Sequence, residues 1–248
     1  MSRVPSTRLR IRRVRHPPGD FRLGKGPLDI DEIESRDGYV DLGALLIAPA
    51  EGLQLRLEVE EATQRVVAVT MDLNGSSLQL QAFAAPRSEG LWDEIREQIN
   101  QSVASQGGGE TEEVSGAFGT ELVAKLPAEA TDGSRGFRAA RFMGVDGPRW
   151  FLRGVLGGQA ALERDAAAGL EDLFRKVVVV RGDNPMPPRE LLQLRLPKDA
   201  AVPGQAGAPP RRRSPGRARN AAAGARAGDY PDWLIPPGTA EHPVRGPP

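Results

Sequence analysis

Four arginines, Arg138, Arg141, Arg149 and Arg153, crowd the stretch Arg138 to Gly158, RAARFMGVDGPRWFLRGVLGG, together with Phe142, Trp150 and Phe151. A guanidinium is a planar fork that can hold a phosphate or carboxylate through two parallel bonds. In a strand running through Trp150, the residues Arg149, Phe151 and Arg153 share one face, while Trp150, Leu152 and Gly154 share the other. Arg141 is expected across the turn from the first face. Arg141, Arg149 and Arg153 are therefore the anion-binding candidates. The competing reading is that they pair with carboxylates of an acidic body, because such pairs are common at protein surfaces. We prefer the ion pairs.

Other chemistry finds little to work with. The chain has no cysteine, and its two histidines, His16 and His242, lie near the ends. A thiol nucleophile, a thiolate metal site and a Ser-His-Asp relay are thereby excluded from the central region. Carboxylates recur at Asp93, Glu94 and Glu97, and at Glu171 and Asp172, and read as solvated helix faces. Gly107–Gly109 is not followed by Lys-Ser/Thr, and Gly24-Lys25-Gly26 lacks the third glycine of a dinucleotide loop. No catalytic residue, metal ligand or cofactor is assigned.

The formal net charge is zero, but it is a cancellation. Residues 1–19 carry six Arg and no acid, residues 200–228 carry six more Arg and no acid, and residues 229–248 are net −2. The body, residues 20–199, is left with about −10, a sizeable field for one domain. Arg211, Arg212, Arg213, Arg217 and Arg219 are phosphate-contact candidates whose binding would be salt-sensitive. Few aromatics interleave with them, so base stacking is not supported. Trp233, Leu234 and Ile235 form an apolar island in a Pro/Ala/Gly-rich context and are the partner-docking candidates. No run of about 18 apolar residues is present, so no membrane span is expected. The N-terminus is basic without an apolar core, which does not read as a secretory signal. A cytoplasmic location is the expectation.

The elements that must position these residues follow from periodicity. Residues 1–36 read as a basic, mostly disordered arm, with residues 26–33 expected to lie on the body as an extended edge segment. Residues 37–197 read as the folded domain, and 198–248 as a disordered tail. Leu53, Leu55, Leu57 and Val59 alternate with polar residues, the mark of a strand with one wet face. Arg65–Leu73 and Leu78–Phe83 flank Asn74-Gly75, the strongest hairpin signal in the chain. Leu91, Ile95, Ile99 and Val103 line one side of a helix expected to start at Ser88. Thr120–Leu126 is a further strand. Asp146-Gly147 is expected to turn the central hairpin. Leu170, Leu173, Phe174 and Val177 line a second helix, Val177–Val180 is a short buried strand, and Leu191–Leu196 a last apolar segment. The expected fold is α+β: a single antiparallel sheet with two main helices packed on one face and disordered tails at both ends.

Three strings also resemble a known family: Leu78 to Trp92, Gly144 to Gly154, and Val180-Arg181-Gly182-Asp183-Asn184-Pro185-Met186. They are similar to an actinobacterial family of conserved proteins with a domain of unknown function, DUF3710, over about residues 25–197. The resemblance implies a bacterial cytoplasmic protein and no activity, so it transfers no catalytic position. The element order is also similar, by analogy alone, to the PsbP-like α+β fold. The function expected first is a non-catalytic interaction or scaffold protein, with another protein as its partner. The alternatives are weak nucleic-acid or anionic-surface contact through the basic tails, and an enzyme or binding protein for an anionic small molecule using the hairpin arginines.

Overall fold

The computed structural model describes Arg22 and residues 25–60, 62–87, 89–105, 109–129 and 135–197. Seven strands form the larger sheet: β4 (Gln54–Glu60), β5 (Arg65–Leu73), β6 (Ser76–Ala84), β7 (Glu110–Gly116), β8 (Gly119–Glu129), β9 (Arg135–Gly147) and β10 (Trp150–Gly157). Their order is β4-β5-β6-β10-β9-β8-β7, antiparallel throughout. Four short strands form a second sheet: β1 (Leu28–Asp29), β2 (Val40–Asp41), β3 (Leu45–Ile47) and β11 (Val178–Val179), in the order β1-β11-β3-β2. Here β1 runs parallel to β11, and the other pairs are antiparallel. The helices are α1 (Trp92–Ser105) and α2 (Arg164–Lys176).

The fold class is α+β, but the single sheet expected from the sequence is two. Leu45-Leu46-Ile47 and Val178-Val179 are buried without any alternation. A short, wholly apolar run carries no information about which sheet it joins. These two pair with each other and build a small layer beside the large sheet. The segment at residues 26–33 supplies β1, the edge of that layer.

The helices do not share a face either. Along β10, Trp150, Leu152 and Leu156 pack with Leu170 and Phe174 of α2 and with Leu45 and Val179 of the small sheet. Phe151 and Val155 pack with Trp92, Ile99 and Val103 of α1. Successive side chains of a strand point to opposite sides, so α1 lies on one side of the large sheet and α2 with the small sheet on the other. Local periodicity shows that a helix has one apolar stripe, not which side of a sheet receives it.

Both hairpins owe their turns to positive φ. Asn74 and Gly75 have φ of 50° and 76°, the pair of left-handed residues of a type I′ turn, as the sequence predicts. The central hairpin turns two residues later than expected. Gly147 pairs with Trp150, so the loop is Pro148-Arg149, with Arg149 at φ 59°. Proline preset for the first corner and a positive φ at the second is the type II pattern.

Asp146, thus inside β9 and not in the turn, takes another task. Its Oδ1 accepts from the Leu91 amide at 2.7 Å and its Oδ2 from the Trp92 amide at 3.3 Å. It supplies the acceptors that the first free amides of α1 require. The helix starts at Trp92, later than Ser88, which lies outside the described residues. The Trp92 ring sits over the backbone of Gly144, where an added Cβ would approach it to 2.3 Å, and its indole N–H donates to the Thr120 carbonyl at 2.7 Å. Two substitutions test this joint by chemical denaturation. Asp146→Ala should cost about 1–2 kcal/mol and Asp146→Asn, which keeps one acceptor oxygen, less. Gly144→Ala should cost about 1–3 kcal/mol through the displaced indole.

Candidate functional site

The register places the three hairpin arginines in three different settings. Arg141 pairs with Leu156 and Arg153 with Gly144, which puts their side chains on opposite sides of the sheet. Arg149 is in the turn, where its carbonyl accepts from the Ala85 amide at 2.9 Å and from Arg181 Nε at 3.3 Å. The expected shared face of Arg149 and Arg153, with Arg141 nearby, is therefore corrected. Moving the turn by two residues takes Arg149 out of the strand, and strand parity separates the other two.

Arg141 faces α2 between two carboxylates. Its Nη2 donates to Glu171 Oε1 at 2.6 Å, and its Nε lies 3.6 Å from Glu121 Oε2. Glu121 is completely buried. It sits at the closed end of the β7–β8 hairpin, where its Oε1 accepts from the Phe118 amide at 3.4 Å. Gly116 makes room for it, since an added Cβ there would lie 1.9 Å from the Glu121 carboxyl carbon. Burial pushes the Glu121 carboxyl above its usual range, and the charge of Glu171 adds to this. Arg141 and the amides of Phe118 and Ala117 pull the other way without cancelling it.

Arg153 lies on the α1 side, buried. It donates to Gln81 Oε1 and stands 5.8 Å from the centre of the Phe83 ring. Burial lowers its pKa to about 10, which still leaves it charged at neutral pH. Beyond it, toward β4, polar side chains continue across the sheet. Gln79 Nε2 and Thr70 Oγ1 both donate to Glu58, at 2.9 and 2.6 Å from its Oε1. Arg56 holds Asp72 through two bonds, at 2.5 and 2.9 Å.

Several polar side chains that tie distant parts of the fold together escape a sequence reading. Asp29 is buried and accepts from the Trp150 indole N–H at 2.6 Å, across 121 residues of chain. Arg22 caps the same ring from 5.5 Å, bonds the Pro27 carbonyl at 3.2 Å and pairs with Glu32. Asp146 is raised by burial, and by the nearby charge of Asp93, despite its two amide partners. Only Glu121 leaves a trace in the sequence: an acid flanked by the alternating apolar residues Leu122, Ala124 and Leu126, just after the Gly116–Gly119 turn.

Among the described residues, no group of three or more His, Cys, Asp or Glu is placed to hold a metal ion. No helix there is long and apolar enough to cross a membrane. The docking candidates Trp233, Leu234 and Ile235, the phosphate-contact candidates Arg211, Arg212, Arg213, Arg217 and Arg219, and both histidines lie outside the described residues.

The Glu121 carboxyl gives this cluster a pH signature. An acid whose pKa is raised in the folded state binds protons there that the unfolded chain has released, so folding loses stability as pH climbs from about 4.5 toward the folded pKa. Glu121→Gln removes that titration. Thermal melts of the variant and the parent at pH 4 and pH 8 should therefore show the variant gaining on the parent as pH rises. A gap that narrows or reverses would contradict a raised Glu121.

The sequence profile of a family described as a protein of unknown function, DUF3710, matches residues 26–202. No curated protein matches the chain. The matched span takes in both sheets, both helices, the central hairpin and the Glu121–Arg141–Glu171 cluster, more than half of the chain, and the protein belongs to the DUF3710 family.

Proposed function

We propose that the protein is a non-catalytic interaction or scaffold protein of the bacterial cytoplasm, with an acidic body, basic flanks and a C-terminal docking element at Trp233-Leu234-Ile235. The observation that carries this reading is where the described ionisable groups are directed. Arg141 is held between Glu121 and Glu171, and Asp146 is committed to the start of α1. Arg153 is turned to the other side of the sheet from Arg141. A small-molecule site needs several polar groups converging on one concave surface, and the strand register sends these apart.

A second reading rests on the segregation of charge. Residues 200–228 carry six Arg and no acid beside a body of opposite sign. Such a segment can bind polyanions without sequence preference, releasing counterions as it does so.

Affinity capture with the full chain tests the first reading. A stoichiometric protein partner should be retained by the parent and lost on combined Trp233→Ala, Leu234→Ala and Ile235→Ala substitution; an unchanged partner set would reject the docking element. For the second, binding to a duplex of arbitrary sequence should weaken at least tenfold between 50 and 200 mM salt, on the order expected for several phosphate contacts. A flat salt profile would reject it.

A further inference from the structure

The two sides of β7, β8 and β9 are finished differently. On one side Leu122, Ala124, Ala140 and Phe142 pack under α1, which crosses all three strands. On the other side α2 packs over β5 and β6. It reaches this part of the sheet through two long side chains: Glu171 holds Arg141, and Arg164 donates to the Ser115 carbonyl at 2.9 Å. Beyond them the face is bare. Phe137, opposite Pro127 in the β8–β9 pair, is 69% exposed, and Pro127 and Lys125 are exposed with it. The 3-10 turn Gly158–Ala161 packs against β9 and leads into Leu162, which is 65% exposed.

One exposed apolar side chain carries no message, but a contiguous set does. Strand parity and register put Val114, Val123, Pro127, Phe137 and Ala139 on this same side of three adjacent strands. Phe137 and Leu162 are two of the four large apolar side chains exposed among the described residues.

We propose that this face docks an amphipathic helix of a partner protein, apolar along one stripe and carrying Lys or Arg on the flank that meets β7. The inference rests on the reading of the chain as an interaction protein, and adds to Trp233-Leu234-Ile235 a second surface on the body.

Shape selects a helix. Three strands about 4.8 Å apart make a strip about 10 Å across, the width of one helix. From Val114, beside Glu121, to Pro127 the strip runs about 20 Å, room for about 13 helical residues. The fold supplies its own measure, since the other side of these strands takes α1, a helix of 14 residues with one apolar stripe. A second copy fits poorly. The footprint of about 200 Å² falls well short of the roughly 800 Å² that each partner of a stable interface buries, and two bodies of about −10 repel. Charge sets the flank. Glu110 and Glu112 face this side along the β7 rim. Lys125 lies 3.8 Å from Glu110, which leaves Glu112 and the field of the acidic body to attract cations.

The chain has no cysteine, so Lys125→Cys gives one point for a fluorescent label on the face. The probe is a synthetic peptide the length of α1, with leucines at i, i+3, i+4 and i+7 and lysine and alanine elsewhere. Added to the labelled full-length chain, it should bind saturably and change the label's emission. Binding should weaken at least tenfold when glutamate replaces its lysines, or when two central prolines break its helix. Phe137→Asp should weaken it at least tenfold, while Val59→Asp, at an exposed apolar position of β4, should leave it unchanged. Both side chains are exposed, so neither substitution opens the core.

Absence of saturable binding would overturn the proposal, as would equal binding of the glutamate or proline peptide, or equal losses in the two aspartate variants. A label shielded from acrylamide before any peptide is added would overturn it too. Shielding independent of concentration would assign the face to the chain's own ends, and shielding that grows with concentration to a second copy. No peptide binding, with partner capture still lost in the Trp233-Leu234-Ile235 variant, would reject this face and leave that docking element intact. Peptide binding with an unchanged partner set would do the reverse.

Discussion

The strand Trp150–Gly157 has no side turned to water: all eight of its residues are buried. That constraint organises the rest of the molecule. A strand buried on both sides needs a layer on each, and burying a large apolar side chain contributes about 1.5–3 kcal/mol. On one side, Trp150, Leu152 and Leu156 gather α2 and the four-stranded sheet. On the other, Phe151 stacks between Phe83 and Trp92, at 6.0 and 6.1 Å between ring centres, and holds α1. Both layers pack on this strand and on its neighbours β6 and β9.

Polar bonds between distant parts of the chain lock the layers in register. Asp29, buried, bonds Trp150, and Asp146, half-buried, bonds Leu91; each supplies an acceptor to a donor that would otherwise be stranded inside the protein. An unmet buried donor costs about 1–3 kcal/mol, so these bonds matter more for what they prevent than for what they add. The Glu121–Arg141–Glu171 cluster is different in kind. A buried ion set is weak grounds for stability, because desolvation offsets much of the attraction. Its geometry does specify how α2 docks on β9 and where the β7–β8 hairpin closes.

The sheet edges are managed by charge. β7 at one edge carries Glu110, Glu112 and Glu113, and β4 at the other carries Arg56, Glu58 and Glu60. Charged edge strands resist pairing with another chain's backbone. An interaction protein built this way would recruit partners through side chains and appended segments, in keeping with docking through a C-terminal element and not through an open strand.

Much of this architecture is legible in the chain itself. Alternation in Leu53–Val59 and Thr120–Leu126, the Asn74-Gly75 turn, and the stripes Leu91–Val103 and Leu170–Val177 each announce one element, because strand and helix periods are local properties of the backbone. The strings shared with the DUF3710 family add its membership. What periodicity cannot carry is the relation between elements. That Leu45–Ile47 and Val178–Val179 form a separate sheet, that the helices take opposite sides, and that Arg141 and Arg153 part company were decided only by packing. The acidic stretch Glu110–Glu113 becomes a strand because β8 offers it a partner. Pro148-Arg149 takes the turn because Asp146 is drawn away to α1 and Gly147 lies under Trp150. The sequence by itself determined the elements and the absence of thiol and imidazole chemistry from the body. Tertiary structure decided which charged groups meet, because that depends on contacts between residues tens to more than a hundred positions apart, where no local period reaches.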